Sequence, residues 1–213
     1  MRLILFITII IICSCKKSVI TDREITAILA NGTDSTFRTA IDSDNRLHMT
    51  LTNFGGMVYK TIVYYNYYEK EKARSIEGYL NDRFYGHWFE FYPNRNLKKY
   101  CFFTGDQNGG SRFTTEFTEE GKINNQLGTP LVDFYENVDD NTLNILFSTV
   151  LYDSIQVLYS KDKINYKRLK LNKSNMQPML YVGVLPFDKV FIFRIDAFKD
   201  KKRYIFKDII NPH

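Results

Sequence analysis

The side chains able to do chemistry are few: His48, His87 and His213, Cys101, and carboxylates at Asp42 and Asp44 and at Asp133, Glu136, Asp139 and Asp140. No two histidines lie three to five residues apart, so the ligand spacing of a zinc site is missing. His48 falls on the polar face of an alternating segment, His213 is the last residue, and His87 beside Trp88 reads as structural. Neither carboxylate cluster has the ligand series closed by a glutamate that an EF-hand calcium loop needs, and both read as polar hairpin turns. A glycosidase pair is defined by a distance in space, which spacing along the chain neither makes nor breaks. There is no glycine-rich phosphate loop and no Gly-x-Ser-x-Gly elbow. Cys101 sits between Lys98-Lys99-Tyr100 and Phe102-Phe103, a setting in which a lone cysteine behaves as a small buried hydrophobe. These absences argue against an enzyme, and they imply no metal and no cofactor.

Two features suit binding. Tyr59, Tyr64, Tyr65, Tyr67 and Tyr68 crowd one segment, and strand alternation puts Tyr59, Tyr65 and Tyr67 on one face. Flat aromatic faces stack on sugar rings, so these three are the candidate ligand-binding residues. The competing reading has them cover a sheet with their hydroxyls in water. The cations from Lys161 to Lys173, with Lys199 to Arg203, suit anionic lipid headgroups or guard edge strands against pairing.

The N-terminus supplies an address. Arg2 precedes an apolar run from Leu3 to Ile12, and small residues follow, the three-part pattern of a secretory signal. The run is too short to span a bilayer, which takes roughly 20 apolar residues. Ile12-Cys13-Ser14-Cys15 resembles the bacterial lipobox, with an aliphatic residue at −3 and a small one at −1 before the cysteine that receives lipid. Cys13 is the rival acceptor, but Ile12 is too large for the position before it. The resemblance implies lipidation at Cys15, attachment to a membrane through that lipid, and a place in the cell envelope, at the outer membrane facing the periplasm. Residues 1–15 are then signal and lipidation site. Cys101 is left alone and no intramolecular disulfide forms in residues 16–213.

The hydrophobic fraction of 44% against 25% charged residues calls for a packed core rather than disorder. The net charge of +5 is too mild for a nucleic-acid footprint, so no nucleic-acid partner is expected.

Residues 16–36 read as a tether with a short helix from Asp22 to Asn31, because Thr21 and Glu24 match a capping box and Gly32 suits the C′ position. From Phe37 the period changes to two, and Leu47 to Thr52 alternates without error. Then the chain repeats itself. Gly86 to Lys98 is one unit and Gly110 to Ile123 another. Tyr92 to Phe117 is 25 positions and Leu97 to Ile123 is 26, which gives the second copy one extra turn residue. Ile41 to Leu47 is a fainter copy. These units resemble MORN-type β-hairpin repeats: Gly86, Trp88, Phe91, Tyr92, Asn94 and Leu97 match in the first, and Gly110, Phe117, Gly121 and Ile123 in the second. The resemblance implies that Trp88 is a core residue of a stacked hairpin sheet. Arg95 stands where glycine is usual, and Asn94 or Asn96 is expected to take the left-handed turn position instead.

Beyond Gly128-Thr129-Pro130 come short runs at even spacing: Leu143–Tyr152, Ile155–Tyr159, Ile164–Leu171, Met179–Leu185, Val190–Phe198 and Arg203–Ile210. That rhythm is the profile of a β-sandwich, and it resembles the immunoglobulin-like domain, without its Cys–Trp–Cys core. The expected architecture is all-β: an antiparallel β-hairpin repeat sheet over 37–128, followed by an immunoglobulin-like β-sandwich over 129–213. The expected function is a non-catalytic binding or structural role for a lipid-anchored envelope protein, with an envelope protein or a glycan as partner. The alternatives are a periplasmic or surface carbohydrate-binding lipoprotein, and an envelope hydrolase whose residues are scattered along the chain.

Overall fold

The computed structural model describes residues 21–30, 37–41, 46–52, 58–65, 72–104, 111–173, 179–187 and 190–210. Helix α1, Asp22–Ala30, opens on the capping box: Thr21 N–H donates to Glu24 Oε2 (2.8 Å) and Glu24 N–H to Thr21 Oγ1 (3.4 Å). Eight strands follow, β1 Phe37–Ile41, β2 Leu47–Thr52, β3 Val58–Tyr65, β4 Ala73–Leu80, β5 Arg83–Phe91, β6 Leu97–Phe103, β7 Ser111–Phe117 and β8 Ile123–Gly128. They form one antiparallel sheet in which each strand pairs with the next in sequence.

Four hairpins turn at the same end of this sheet, closed by the pairs Ile41–Leu47, Tyr65–Ala73, Phe91–Leu97 and Phe117–Ile123. Phe91 and Phe117 are therefore equivalent, and so are Tyr92 and Thr118, whose N–H groups donate to the Asn96 and Lys122 carbonyls at 2.9 Å. From the third hairpin to the fourth the spacing is 26 at both closing positions, and the extra turn residue does not exist. Aromatic likeness had aligned Tyr92 with Phe117, one position out of register. The Tyr65–Ala73 hairpin escaped the sequence pattern because its loop is two residues longer.

The left-handed turn position is Arg95 itself (φ 72°), matching Gly121 (φ 76°), and neither Asn94 nor Asn96 takes it. Arg95 is held there by α1. Its Nε lies 3.1 Å from Oδ1 of the buried Asp22, and its carbonyl accepts the Asp22 N–H. Asp22 also accepts the Ala73 N–H, which ties the helix to two hairpins at once. Ile25, one turn along α1, is 1% exposed in the core beneath.

The inward face of the sheet carries the row Val63, Ile76, Phe89, Tyr100 and Thr115, paired in register and each fully buried. His87, Phe89 and Phe91 point the same way. Trp88, on the opposite side of the pleat, is only half-buried, so the core reading of Trp88 is corrected: the repeat buries the residues flanking it.

Strands β9 Leu131–Asn137, β10 Thr142–Ser148, β13 Leu171–Lys173 and β14 Leu180–Pro186 form a second antiparallel sheet, ordered β13-β14-β10-β9. Strands β11 Ser154–Ser160, β12 Lys167–Arg168, β15 Phe191–Lys199 and β16 Lys202–Ile210 form a third, ordered β12-β11-β15-β16. The protein is thus all-β in its sheets, and none of the three closes into a barrel. Leu143, Ile145, Phe147 and Leu185 from one small sheet and Val157, Phe191, Phe193 and Ile195 from the other share a single apolar cluster. The run expected over Ile164–Leu171 is not one strand. It splits into β12 and β13, which belong to different sheets.

A second cluster joins the large sheet to the rest: Phe89, Tyr100 and Phe113 pack with Val132, Leu146, Leu151, Tyr152, Leu180 and Ala197. The chain enters this junction through Gly128 (φ 79°), where a Cβ would collide with the Arg112 carbonyl.

Candidate functional site

The tyrosine face comes first. Tyr59, 5% exposed, meets Tyr85 edge-on with ring centroids 5.9 Å apart, and the Tyr85 hydroxyl donates to Asp133 Oδ2 at 2.8 Å. Burial, then the nearby Tyr135 and Asp133, push the Tyr59 hydroxyl up to about 12. Tyr65 is half-buried against the shared core, and burial followed by the charge of Asp22 raises its hydroxyl too. Tyr67 lies outside the described residues, as do Cys15, Asp42, Asp44 and His213. Tyr59 and Tyr65 do share a face, and it is the inward one. A buried ring such as Tyr59 has no open surface on which a sugar could stack.

His87 and Cys101 are equally enclosed. His87 Nδ1 lies 2.9 Å from the Tyr100 hydroxyl, which lies 2.7 Å from Ser148 Oγ, and all three residues are at most 4% exposed. This chain spans the junction between the large sheet and β10 with no access for a substrate. Cys101 is 3% exposed and accepts the Thr114 hydroxyl at 3.4 Å; burial pushes its thiol up, against the pull of Thr114 and Lys99. A protonated, buried thiol is a poor nucleophile. Ser160-Lys161-Asp162-Lys163 has the spacing of a serine–lysine pair, but Ser160 spends its hydroxyl on Asp162 Oδ1 at 2.8 Å. Among the described residues no group of three His, Cys, Asp or Glu converges as a metal site.

Among the described residues a groove of about 560 Å³ lies open on the side of the two small sheets. Leu169 and Val157 are buried at its base, with Ile155, Leu171 and Tyr181 half-buried around them. Ser154, Gln156, Arg168 and Lys170 supply polar groups at its rim. Its one carboxylate, Asp153, accepts the Asp200 N–H at 3.0 Å. The groove exists because the chain leaves the third sheet after Arg168 and joins the second at Leu171. Leu169, in the crossing, rests on Gly183, where any Cβ would run into its side chain. The basic run around Lys161–Lys173 was visible in the sequence, but the opening was not. It depends on one strand changing sheets, for which a continuous polar–apolar alternation carries no signal.

No known protein family, curated protein or solved structure matches the chain.

Proposed function

We propose that this is a lipid-anchored protein of the bacterial envelope that binds a partner through the groove beside β11 and does not turn it over. The observation that carries the reading is the contrast between the two kinds of site. Among the described residues, His87, Tyr100, Ser148 and Cys101 are sealed in the core. The open groove instead has an apolar base, a polar rim and no converging acid and base, the composition of a recognition surface.

The architecture supports the same reading. A meander whose last two hairpins repeat at 26 residues suits a MORN-like repeat sheet. Taking β9 to β16 as strands A, B, C, C′, D, E, F and G, the two small sheets have the orders D-E-B-A and C′-C-F-G, which supports reading them as an immunoglobulin-like sandwich. Both architectures present surfaces and edges to partners. The anchor rests on Cys15 and its lipobox context. A lipid there confines the chain to two dimensions and raises its effective concentration toward membrane neighbours.

The anchor is tested by metabolic labelling with a fatty-acid analogue. Cys15→Ala abolishes labelling and releases the chain from membranes, whereas Cys13→Ala labels normally; a Cys15→Ala chain that still labels contradicts the anchor. Absence of turnover is tested with panels of glycans, peptides and esters. Reproducible hydrolysis, abolished by a single Asp, Glu or His substitution that leaves folding intact, would overturn the binding role.

A further inference from the structure

β11 pairs with β15 along its length, but among the described residues its other side is unpaired from Ser154 to Gln156. Lys167 and Arg168 pair with Tyr159 and Leu158, and Leu169 N–H then donates to the Val157 carbonyl at 2.9 Å. In an antiparallel strand alternate residues direct both of their main-chain groups to the same side. Ile155, two residues before Val157, therefore turns its N–H and C=O toward the groove, and among the described residues no strand lies opposite them.

The charge of the groove points to what would fill it. Arg168 and Lys170 flank the buried Leu169 and are themselves exposed. Along an extended chain such positions stand about 6.6 Å apart. Among the described residues neither forms an ion pair or a side-chain hydrogen bond. From Lys161 to Lys173 there are six cationic residues and one carboxylate, Asp162. That carboxylate is occupied by the Ser160 hydroxyl and by the Ile164 and Asn165 N–H groups. A local excess of positive charge thus stands beside unpaired strand edge, above an apolar base.

We propose that the groove takes an acidic peptide in extended conformation, added as a strand beside Ser154–Gln156. Its main chain bonds Ile155, and carboxylates at alternate positions meet Arg168 and Lys170. Apolar side chains between the carboxylates settle against Leu169, Leu171 and Tyr181. Strand addition draws affinity from main-chain bonds and specificity from alternate side chains, and this groove offers both. An anionic bilayer supplies charge alone and cannot reach the main chain of Ile155 inside a concavity. The proposal rests on the binding role above and names its partner class.

The test uses the full-length protein in detergent and a short fluorescent peptide alternating Glu and Val. Anisotropy should show saturable binding. Replacing Glu by Gln in the peptide, or making Arg168→Gln together with Lys170→Gln in the protein, should each weaken it on the order of tenfold. Both protein positions are exposed, so the circular dichroism spectrum should be unchanged. N-methylation of the peptide amides on one edge should abolish binding, and on the other edge should spare it. Equal binding of the Glu and Gln peptides, or indifference to methylation of either edge, overturns the proposal. So does binding to phosphatidylglycerol vesicles with no binding to the peptide. If no peptide binds while a crosslinker placed at Gln156 still captures a partner in cells, the acidic-strand assignment fails and the binding role stands. If neither occurs, both fail.

Discussion

Replacing Tyr100 by Phe removes one oxygen from the junction between the large sheet and the two small ones. The ring is 0% exposed and stays packed against Phe89 and Phe113. What is lost is the bridge from His87 Nδ1 (2.9 Å) to Ser148 Oγ (2.7 Å). A buried polar group left without its partner costs about 1–3 kcal/mol. Two are affected here, but Ser148 Oγ keeps the Val150 N–H at 3.5 Å and His87 keeps a further contact, so the low end applies to each. The expected loss is about 2–3 kcal/mol, or roughly 5–10 °C in Tm for a chain of this size. Urea unfolding should be followed by far-ultraviolet circular dichroism and by Trp88 fluorescence together. Because the apolar cluster crosses the junction, both probes should move as one transition. Ser148→Ala measures the coupling: in a double-mutant cycle the two substitutions should be strongly non-additive. A loss below about 0.5 kcal/mol, or two separate transitions of which only one shifts, would refute the reasoning that the bridge and core unite the halves.

Other perturbations separate competing effects. Arg95→Gly relieves a left-handed backbone, worth about 1 kcal/mol, but strips the buried Asp22 of its cation, a loss of about 3 kcal/mol, the low end for a buried pair because Arg95 is partly exposed; net destabilisation is expected in thermal melts, recovered in part by adding Asp22→Asn. Trp88→Ala should cost about 1–2 kcal/mol by urea titration, less than the 3–5 typical of a fully buried aromatic, because the ring is half-buried. Burial holds the Tyr59 and Tyr152 hydroxyls at about 12, above the unfolded value near 10. Stability is therefore intact below pH 10 and is lost as pH rises from 10 toward 12, so ultraviolet titration should show these tyrosines ionising together with unfolding. Smooth ionisation of every tyrosine at pH 10 with the fold intact would contradict that burial.

Local signals in the chain were strong. Thr21 and Glu24 announced the helix cap, the alternation of Leu47 to Thr52 placed β2, and the runs Ile155–Tyr159 and Val190–Phe198 placed β11 and β15 close to their observed bounds. Which face of a strand becomes core is a different matter, decided by what packs over it. Tyr59 and Tyr65 lie on one face by simple counting, yet only α1 and the C-terminal strands turn that face inward. Trp88 shows the converse: the largest side chain of the repeat looks like its core, while the pleat buries His87, Phe89 and Phe91. Arg95 escaped because what holds it in the left-handed turn is Asp22, which stands 73 residues away in sequence. The groove was illegible for the same reason. Nothing between Ile164 and Leu171 marks the point where the chain changes sheets, and the opening follows from that change alone.

The most direct test of the binding role is photo-crosslinking in intact cells from a benzoylphenylalanine placed at Gln156 in the groove, compared with one at the exposed Glu136. The account predicts a discrete protein adduct from Gln156, absent from Glu136 and lost when Arg168 and Lys170 are both changed to Gln. Adducts that are equal at the two positions, or none from Gln156 while the protein sits correctly in the membrane, would contradict it.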